Sequence, residues 1–195
     1  MKRVCVFCGS NLGMRHDYRQ AAERLGTVLA ERGLGLVYGG AHVGLMGVLA
    51  EVVLARGGEV IGVIPASLVA KEVAHVGLAD LRIVGSLHER KALMAELSDG
   101  FIALPGGLGT FEEFFEALSW AQLGLHAKPC GLLNIGGFFD ALLALVDHAI
   151  AERFVRPEHR ALIVEAREPE ELLDRLASYT PPGVEKWFCS PDETE

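Results

Sequence analysis

The chain is short of positive charge. Its 18 lysines and arginines stand against 26 aspartates and glutamates, a formal net charge of −8. A protein that grips a nucleic-acid backbone carries a basic face, so no nucleic-acid partner is expected, although one cationic pocket for a small anion is still compatible. Long apolar runs are missing too. Half of the 195 residues are hydrophobic and mean hydropathy is +0.29, yet Gly, Pro and charged residues break every run short of the roughly 20 residues a membrane helix needs. No membrane partner is expected. The stretch Met1-Lys-Arg-Val-Cys-Val-Phe-Cys8 enters a strand pattern at once, without the apolar segment of a signal peptide, so a cytoplasmic location is the default. Cysteine is sparse: Cys5, Cys8, Cys130 and Cys189. Cys5 and Cys8 have C-x-x-C spacing, but they sit in a strand pattern, where positions three apart face opposite sides. A shared zinc or redox role is therefore not expected, and buried reduced thiols are. Internal repeats and low-complexity segments are absent.

What is present is a regular alternation of strands and helices. The length suits one domain, taken as residues 1–179, with a Pro-rich acidic tail over residues 180–195 whose Trp187 and Phe188 could drape over a neighbour. Strand patterns cover Val4–Cys8, Leu36–Tyr38, Val60–Ile64, Leu81–Val84, Phe101–Leu104, part of Lys128–Asn134 and Leu162–Val164. Helical patterns cover Tyr18–Arg32, the residues up to about Arg56, His88–Leu97, the stretch after Thr110, Phe138 to about Arg153, and Pro169–Ala177. Ala66–Ala79 reads as a short helix or a loop. The alternation predicts an open, doubly wound α/β sheet, mainly parallel, with helices on both faces.

In such sheets ligands bind beyond the carboxyl ends of the strands, and three glycine-rich turns fall there. They are Gly9–Gly13 with Ser10, Gly39–Gly47 with Gly40 and Gly44, and Gly106–Thr110 with Gly107, Leu108 and Gly109. The last joins a buried apolar strand to a helix bearing Phe111, Phe114, Phe115, Leu118, Ala121 and Gln122 on one stripe. Glycines let a ligand approach the backbone, and a helix start offers unpaired N–H groups and partial positive charge, which suits a phosphate. Thr110 reads as the helix N-cap and Glu113, three residues on, as its capping-box partner. No turn matches the G-x-x-x-x-G-K-[ST] phosphate loop, and none is a clean dinucleotide fingerprint. Ser86-Leu-His-Glu-Arg-Lys91 opens another helix. An arginine near a helix start opposes the macrodipole, so Arg90 is best rationalised by a nearby anion or carboxylate. Capping accounts for one of Glu112 and Glu113 and leaves the other for function.

The run Pro105-Gly-Gly-Leu-Gly-Thr-Phe-Glu-Glu113 has the form PGGxGTxxE. Together with Arg90-Lys91, the Gly39-Gly40…Gly44-Leu-Met-Gly47 turn, Trp120-Ala-Gln-Leu-Gly124 and Lys128-Pro129, it resembles the LOG family across nearly the whole chain. These are cytokinin riboside 5′-monophosphate phosphoribohydrolases, often mislabelled lysine decarboxylases. The resemblance implies a Rossmann-like fold that hydrolyses the N-glycosidic bond of AMP or an N6-substituted AMP, releasing free base and ribose 5-phosphate without metal or cofactor. By motif position, Arg90 and Glu113 correspond to the catalytic pair. Glu72, Arg90, Lys91, Gly106 through Glu112 (Phe111 included) and Ser119 correspond to nucleotide-binding positions. Ser119 stands where family members commonly have Thr.

The chemistry fits that correspondence. Breaking the bond builds positive charge on the ribose, which a carboxylate at Glu113 can stabilise, while Lys91 and the glycine-turn amides suit the 5′-phosphate. A pyridoxal-phosphate decarboxylase needs a Schiff-base lysine, and none of Lys2, Lys71, Lys91, Lys128 and Lys186 sits in such a setting. The alternative is a non-catalytic nucleotide or molybdenum-cofactor carrier-like protein on the same fold. The helix bearing Phe114, Phe115, Trp120 and Leu123 is apolar nearly all round, as in a helix buried on two sides, so a homodimer or higher oligomer is expected.

Overall fold

The structure, a computed structural model, describes residues 1–69 and 74–183. Glu72, and Trp187 and Phe188 of the tail, lie outside the described residues. The elements run β1 (Arg3–Phe7), α1 (His16–Glu31), β2 (Gly35–Tyr38), α2 (Gly44–Ala55), β3 (Val60–Pro65), α3 (Ala66–Val69), β4 (Asp80–Val84), α4 (Leu87–Glu96), β5 (Gly100–Ala103), α5 (Leu108–Gln122), β6 (Cys130–Leu133), α6 (Asp140–Ala151), β7 (Ile163–Ala166) and α7 (Pro169–Ala177). The strands form one sheet in the order β4-β3-β2-β1-β5-β6-β7, and every pairing between them is parallel. The expected α/β architecture is what forms.

Parallel strands need covering on both faces, and alternation along β1 supplies both. Val4 and Val6 pack with Leu36 and Tyr38 beneath α1, α2 and α7. Cys5 packs with Val37, Val63 and Phe101 beneath α4, α5 and α6, and Phe7 stacks on Phe101 with ring centroids 5.9 Å apart. The α1 positions expected to point inward, Ala21, Ala22, Leu25, Val28 and Leu29, are all buried. Cys5 and Cys8 lie in opposite clusters, and Cys5, Cys8 and Cys130 are buried free thiols. Burial pushes all three thiols up, that of Cys130 to about 12, so none is a ready nucleophile.

The chain builds outward from β1 to the edge strand β4, then crosses back to β5 on the other side of β1. The β1–β5 boundary is therefore the topological switch point, where the turns diverge and leave a crevice. Among the described residues, no helix is long and apolar enough to cross a membrane.

Three local expectations change. Ala66–Val69 takes the helical alternative for the start of its segment, and Ala74 bridges back to Ala41. The helix expected from Phe138 is preceded by a 3-10 turn over Ile135–Gly137 and starts at Asp140. The buried Asn134 explains the join: its Oδ1 accepts from the Phe139 amide at 2.8 Å, and its Nδ2 donates to Asp140 and Glu165, each at 2.7 Å. A second 3-10 turn, Pro157–Leu162, precedes β7 and displaces that strand's start to Ile163.

After α6 the chain reverses through Arg153, whose φ is 62°. A side chain costs energy in the left-handed region that glycine does not. Arg153→Gly should therefore stabilise the protein by about 0.5–1 kcal/mol in urea titration, the strain relieved exceeding the added chain entropy. A destabilised variant would show that Arg153 contributes contacts worth more than its strain.

Candidate active site

The three glycine turns meet at the switch point. The Gly9 amide donates to the Pro105 carbonyl at 3.1 Å, and the Leu45 amide donates to the Gly9 carbonyl at 3.0 Å. Gly44 has φ +60°, and a Cβ there would lie 2.2 Å from the Ser10 carbonyl carbon, so the first two turns can touch only because Gly44 has no side chain. Between the Gly9–Gly13 loop and Gly106–Gly107 lies a pocket of about 180 Å³, walled by Tyr18, Leu45 and Phe138.

The start of α5 corrects one expectation. Thr110 is not the N-cap, and Glu113 is not its capping partner. Gly107 occupies the cap position without a side-chain bond, and the helix begins at Leu108. Thr110 is buried in the first turn, filling the space a Gly106 side chain would need: a Cβ at Gly106 would meet Thr110 Oγ1 at 2.1 Å. Packing therefore requires glycine at 106. Gly107 and Gly109 differ, because neither has positive φ and a Cβ on either would meet nothing within 4 Å. Their lack of side chains leaves the first-turn amides, which have no intrahelical partners, open to an anion.

Glu113 faces Arg90 instead. Arg90 lies in the first turn of α4, whose start is capped by Ser86: its hydroxyl accepts from the Glu89 amide at 3.1 Å, and the Glu89 carboxylate accepts from the Gly85 amide at 2.7 Å. Arg90 donates through Nη1 to Glu113 Oε1 at 2.6 Å and through Nε to the Val63 carbonyl at 3.1 Å. Both side chains are 11% exposed. The guanidinium lies against Gly39, where a Cβ would come within 2.2 Å of Nη2. Burial raises the Glu113 carboxyl above the ordinary carboxylate range; the Arg90 charge and hydrogen bond oppose this without cancelling it, and Glu112 adds to the rise. The carboxylate that Arg90 required is thus found, and the centre is a desolvated acid held by a permanent cation.

Lys91 is placed beside this pair. Its ammonium bonds Glu112 and lies 3.0 Å from Glu116 Oε1, tying α4 to α5. Burial disfavours its charge, but the hydrogen bonds to both carboxylates prevail and raise its pKa. Glu116 was not singled out from the sequence, since nothing local marks it. Glu112 is exposed beyond that bond, and Phe111 packs towards Phe138, centroids 6.3 Å apart. Ser119 is exposed on the outward stripe of α5 with Leu108 and Phe115, roughly 9 Å along the axis from Glu113 at 1.5 Å per residue. Within one chain it does not join the Arg90–Glu113 centre. A larger concavity of about 710 Å³ opens between α1 and the turns after β6 and β7, but its Arg24 is already paired with Glu168 and Glu170. Among the described residues, no group of three His, Cys, Asp or Glu side chains could hold a metal.

Residues 46–176 match the family described as "Possible lysine decarboxylase". The chain is 55% identical over 180 residues to the probable cytokinin riboside 5′-monophosphate phosphoribohydrolase LOGL9 of Oryza sativa subsp. japonica, covering 92% of this chain and 79% of the relative. It is 48% identical over 180 residues to the cytokinin riboside 5′-monophosphate phosphoribohydrolase LOG1 of Arabidopsis thaliana, covering 92% and 84%. Among solved structures, the molybdenum cofactor binding protein of Rippkaea orientalis superposes with a TM-score of 0.69 at 24% identity, covering 91% of this chain and 97% of that one. The molybdenum cofactor carrier protein of Chlamydomonas reinhardtii gives 0.67 at 21%, covering 91% and 99%. These two likenesses show the fold. The decarboxylase description does not fit Lys91 or Lys128. Lys91 is charged and clamped between two glutamates, and Lys128 Nζ donates to the Ala95 carbonyl at 2.7 Å, whereas a Schiff-base lysine must present a neutral amine.

Removing Arg90 would leave a carboxylate buried without its cation. Arg90→Met should cost about 3 kcal/mol in urea unfolding, and adding Glu113→Gln should recover a large part of that loss. Additive losses in the double variant would show that the two side chains do not act as a pair.

Proposed function

The chain belongs to the LOG family of cytokinin riboside 5′-monophosphate phosphoribohydrolases, and from that premise we propose that it hydrolyses the N-glycosidic bond of AMP or an N6-substituted AMP. The single observation that carries the reading is the Arg90–Glu113 pair, desolvated against Gly39 of the second glycine turn. The 5′-phosphate lies on the first-turn amides of α5, at Gly107–Thr110, where unpaired N–H groups and the macrodipole favour it. The ribose then lies towards Glu113, which is on the next turn of the same helix.

In the reaction the C1′–N9 bond breaks and its electron pair leaves with the base, which takes a proton from solvent. The sugar ring passes through a cationic, oxocarbenium-like state. Glu113 stabilises that charge and accepts a proton as water adds its oxygen to C1′, giving ribose 5-phosphate. A carboxyl raised by burial is better matched to accepting a proton near neutral pH than a solvated one. Arg90 holds the carboxylate in place and offers donors to the ligand. A carrier would need no such buried acid–cation pair, which favours the enzyme.

The working form is a homodimer. Support comes from the outward stripe of α5, where Leu108 is 85% and Phe115 37% exposed, and from Ser119 on that stripe, which a second copy could use to complete the site. A cytoplasmic location fits three buried free thiols.

Glu113→Gln removes the negative charge while keeping the shape, so turnover of AMP should fall by about 10² to 10³. Wild-type kcat should decline on the acid side as Glu113 takes up a proton, with a midpoint above the ordinary glutamate value of about 4.3. The variant should melt lower, because Arg90 loses its counter-charge. Near wild-type release of free base by Glu113→Gln would show that another group does the chemistry, and a wild type that binds AMP without releasing base would move the carrier reading to the front. For the oligomer, light scattering at micromolar concentration should give a dimeric mass for the wild type, and Phe115→Arg should shift it towards a monomer. A monomeric wild type would refute the dimer.

A further inference from the structure

We propose that Arg15 is a phosphate-binding residue of this site, one that exchanges its ion pair with Asp17 for the 5′-phosphate; this rests on the glycine-turn reading of the phosphate position. A phosphate dianion in the crevice needs a cation, and the charges of the two basic residues expected to supply it are already balanced by carboxylates. Arg90 is bonded to Glu113, and Lys91 to Glu112 and Glu116, inside the α4–α5 junction. Arg15 stands outside the crevice lining, between Tyr18, Asp17 and Gly136. Its Cζ lies 5.7 Å from the centroid of the Tyr18 ring, and Tyr18 lines the crevice together with Gly9–Gly13 and Gly106–Gly107. The Tyr18 ring therefore lies between the guanidinium and the crevice, and Arg15 reaches the phosphate by swinging past that ring.

The present partner of Arg15 is easily displaced. Asp17 accepts from Arg15 Nε at 3.0 Å, but the two side chains are 54% and 35% exposed, and solvent weakens a pair of this kind. Arg15 is also the N-cap residue of α1 and makes no side-chain capping bond. A cation there opposes the helix macrodipole unless an anion comes to share the position. Its planar fork matches a phosphate bidentately. Room for the guanidinium is built in, because a Cβ on Gly136 would meet Arg15 Nη2 at 2.7 Å. Asp17 thus acts as a surrogate anion that keeps Arg15 beside the crevice until substrate arrives.

The test compares kcat/KM for AMP and for adenosine in the wild type and in Arg15→Ala, Arg15→Lys and Asp17→Asn. Arg15→Ala should narrow the AMP-over-adenosine preference by about 10- to 100-fold, the factor expected for a charge-assisted hydrogen bond, mainly through KM for AMP. Arg15→Lys should restore part of it. Asp17→Asn, which removes the competing carboxylate, should lower KM for AMP several-fold. Calorimetric titration with ribose 5-phosphate should rank the four proteins in the same order without turnover. A wild type that strongly prefers AMP, with the preference unchanged in Arg15→Ala, would overturn the role of Arg15 and leave the glycine cradle standing. A wild type that cleaves AMP and adenosine equally well would overturn the cradle itself.

Discussion

The arrangement of the site follows from one buried ion pair. Taking Arg90 and Glu113 out of water is costly, and their attraction offsets that cost only where the remaining polar atoms are also satisfied. The structure meets that condition with the Val63 carbonyl in β3, which accepts from Arg90 Nε. It meets it sterically at Gly39, where a side chain would collide with the guanidinium. Lys91, with Glu112 and Glu116, then closes the same junction from the flank. A buried pair is seldom more stabilising than well-packed apolar residues of similar volume, so its position against the Gly39 turn, beyond the carboxyl end of β2, argues for chemistry rather than stability.

The sheet decides where that pair can act. Because β5 lies beside β1 but follows β4 in the chain, α1 and α5 leave the β1–β5 boundary on opposite faces and bring two helix starts to one crevice. The glycines divide the work there. Gly44 and Gly106 let backbone and side chains pack closely, whereas Gly107 and Gly109 leave amides open. Proteins of 21–24% identity that bind or carry molybdenum cofactor share this fold, so the fold does not select the activity. We assign that selection to the side chains that α4 and α5 bring together, Arg90 on the first turn of α4 and Glu113 on the second turn of α5.

Much of this was legible in the sequence because it is local. Alternating burial in β1, the apolar stripe of α1 and the glycine turns at strand ends each depend on residues a few positions apart, where strand and helix periodicity act. The same locality explains the failure at α5. Thr110-x-x-Glu113 satisfies the capping-box pattern, yet the helix starts earlier because Thr110 fills the space beside Gly106, and Glu113 turns to Arg90.

From the residues alone came the fold class, the two-faced core, the crevice at the carboxyl ends and an arginine near a helix start that calls for a nearby anion or carboxylate. Only the tertiary structure decided that Arg90 meets Glu113 rather than Glu112, that Lys91 is held by Glu112 and Glu116, that Ser119 faces away from the centre, and that Arg15 stands behind Tyr18. The reason is physical. Periodicity and capping are interactions within one element, whereas the contacts between α4 and α5, or between α1 and the crevice wall, depend on how separate elements cross the sheet, which no local pattern encodes.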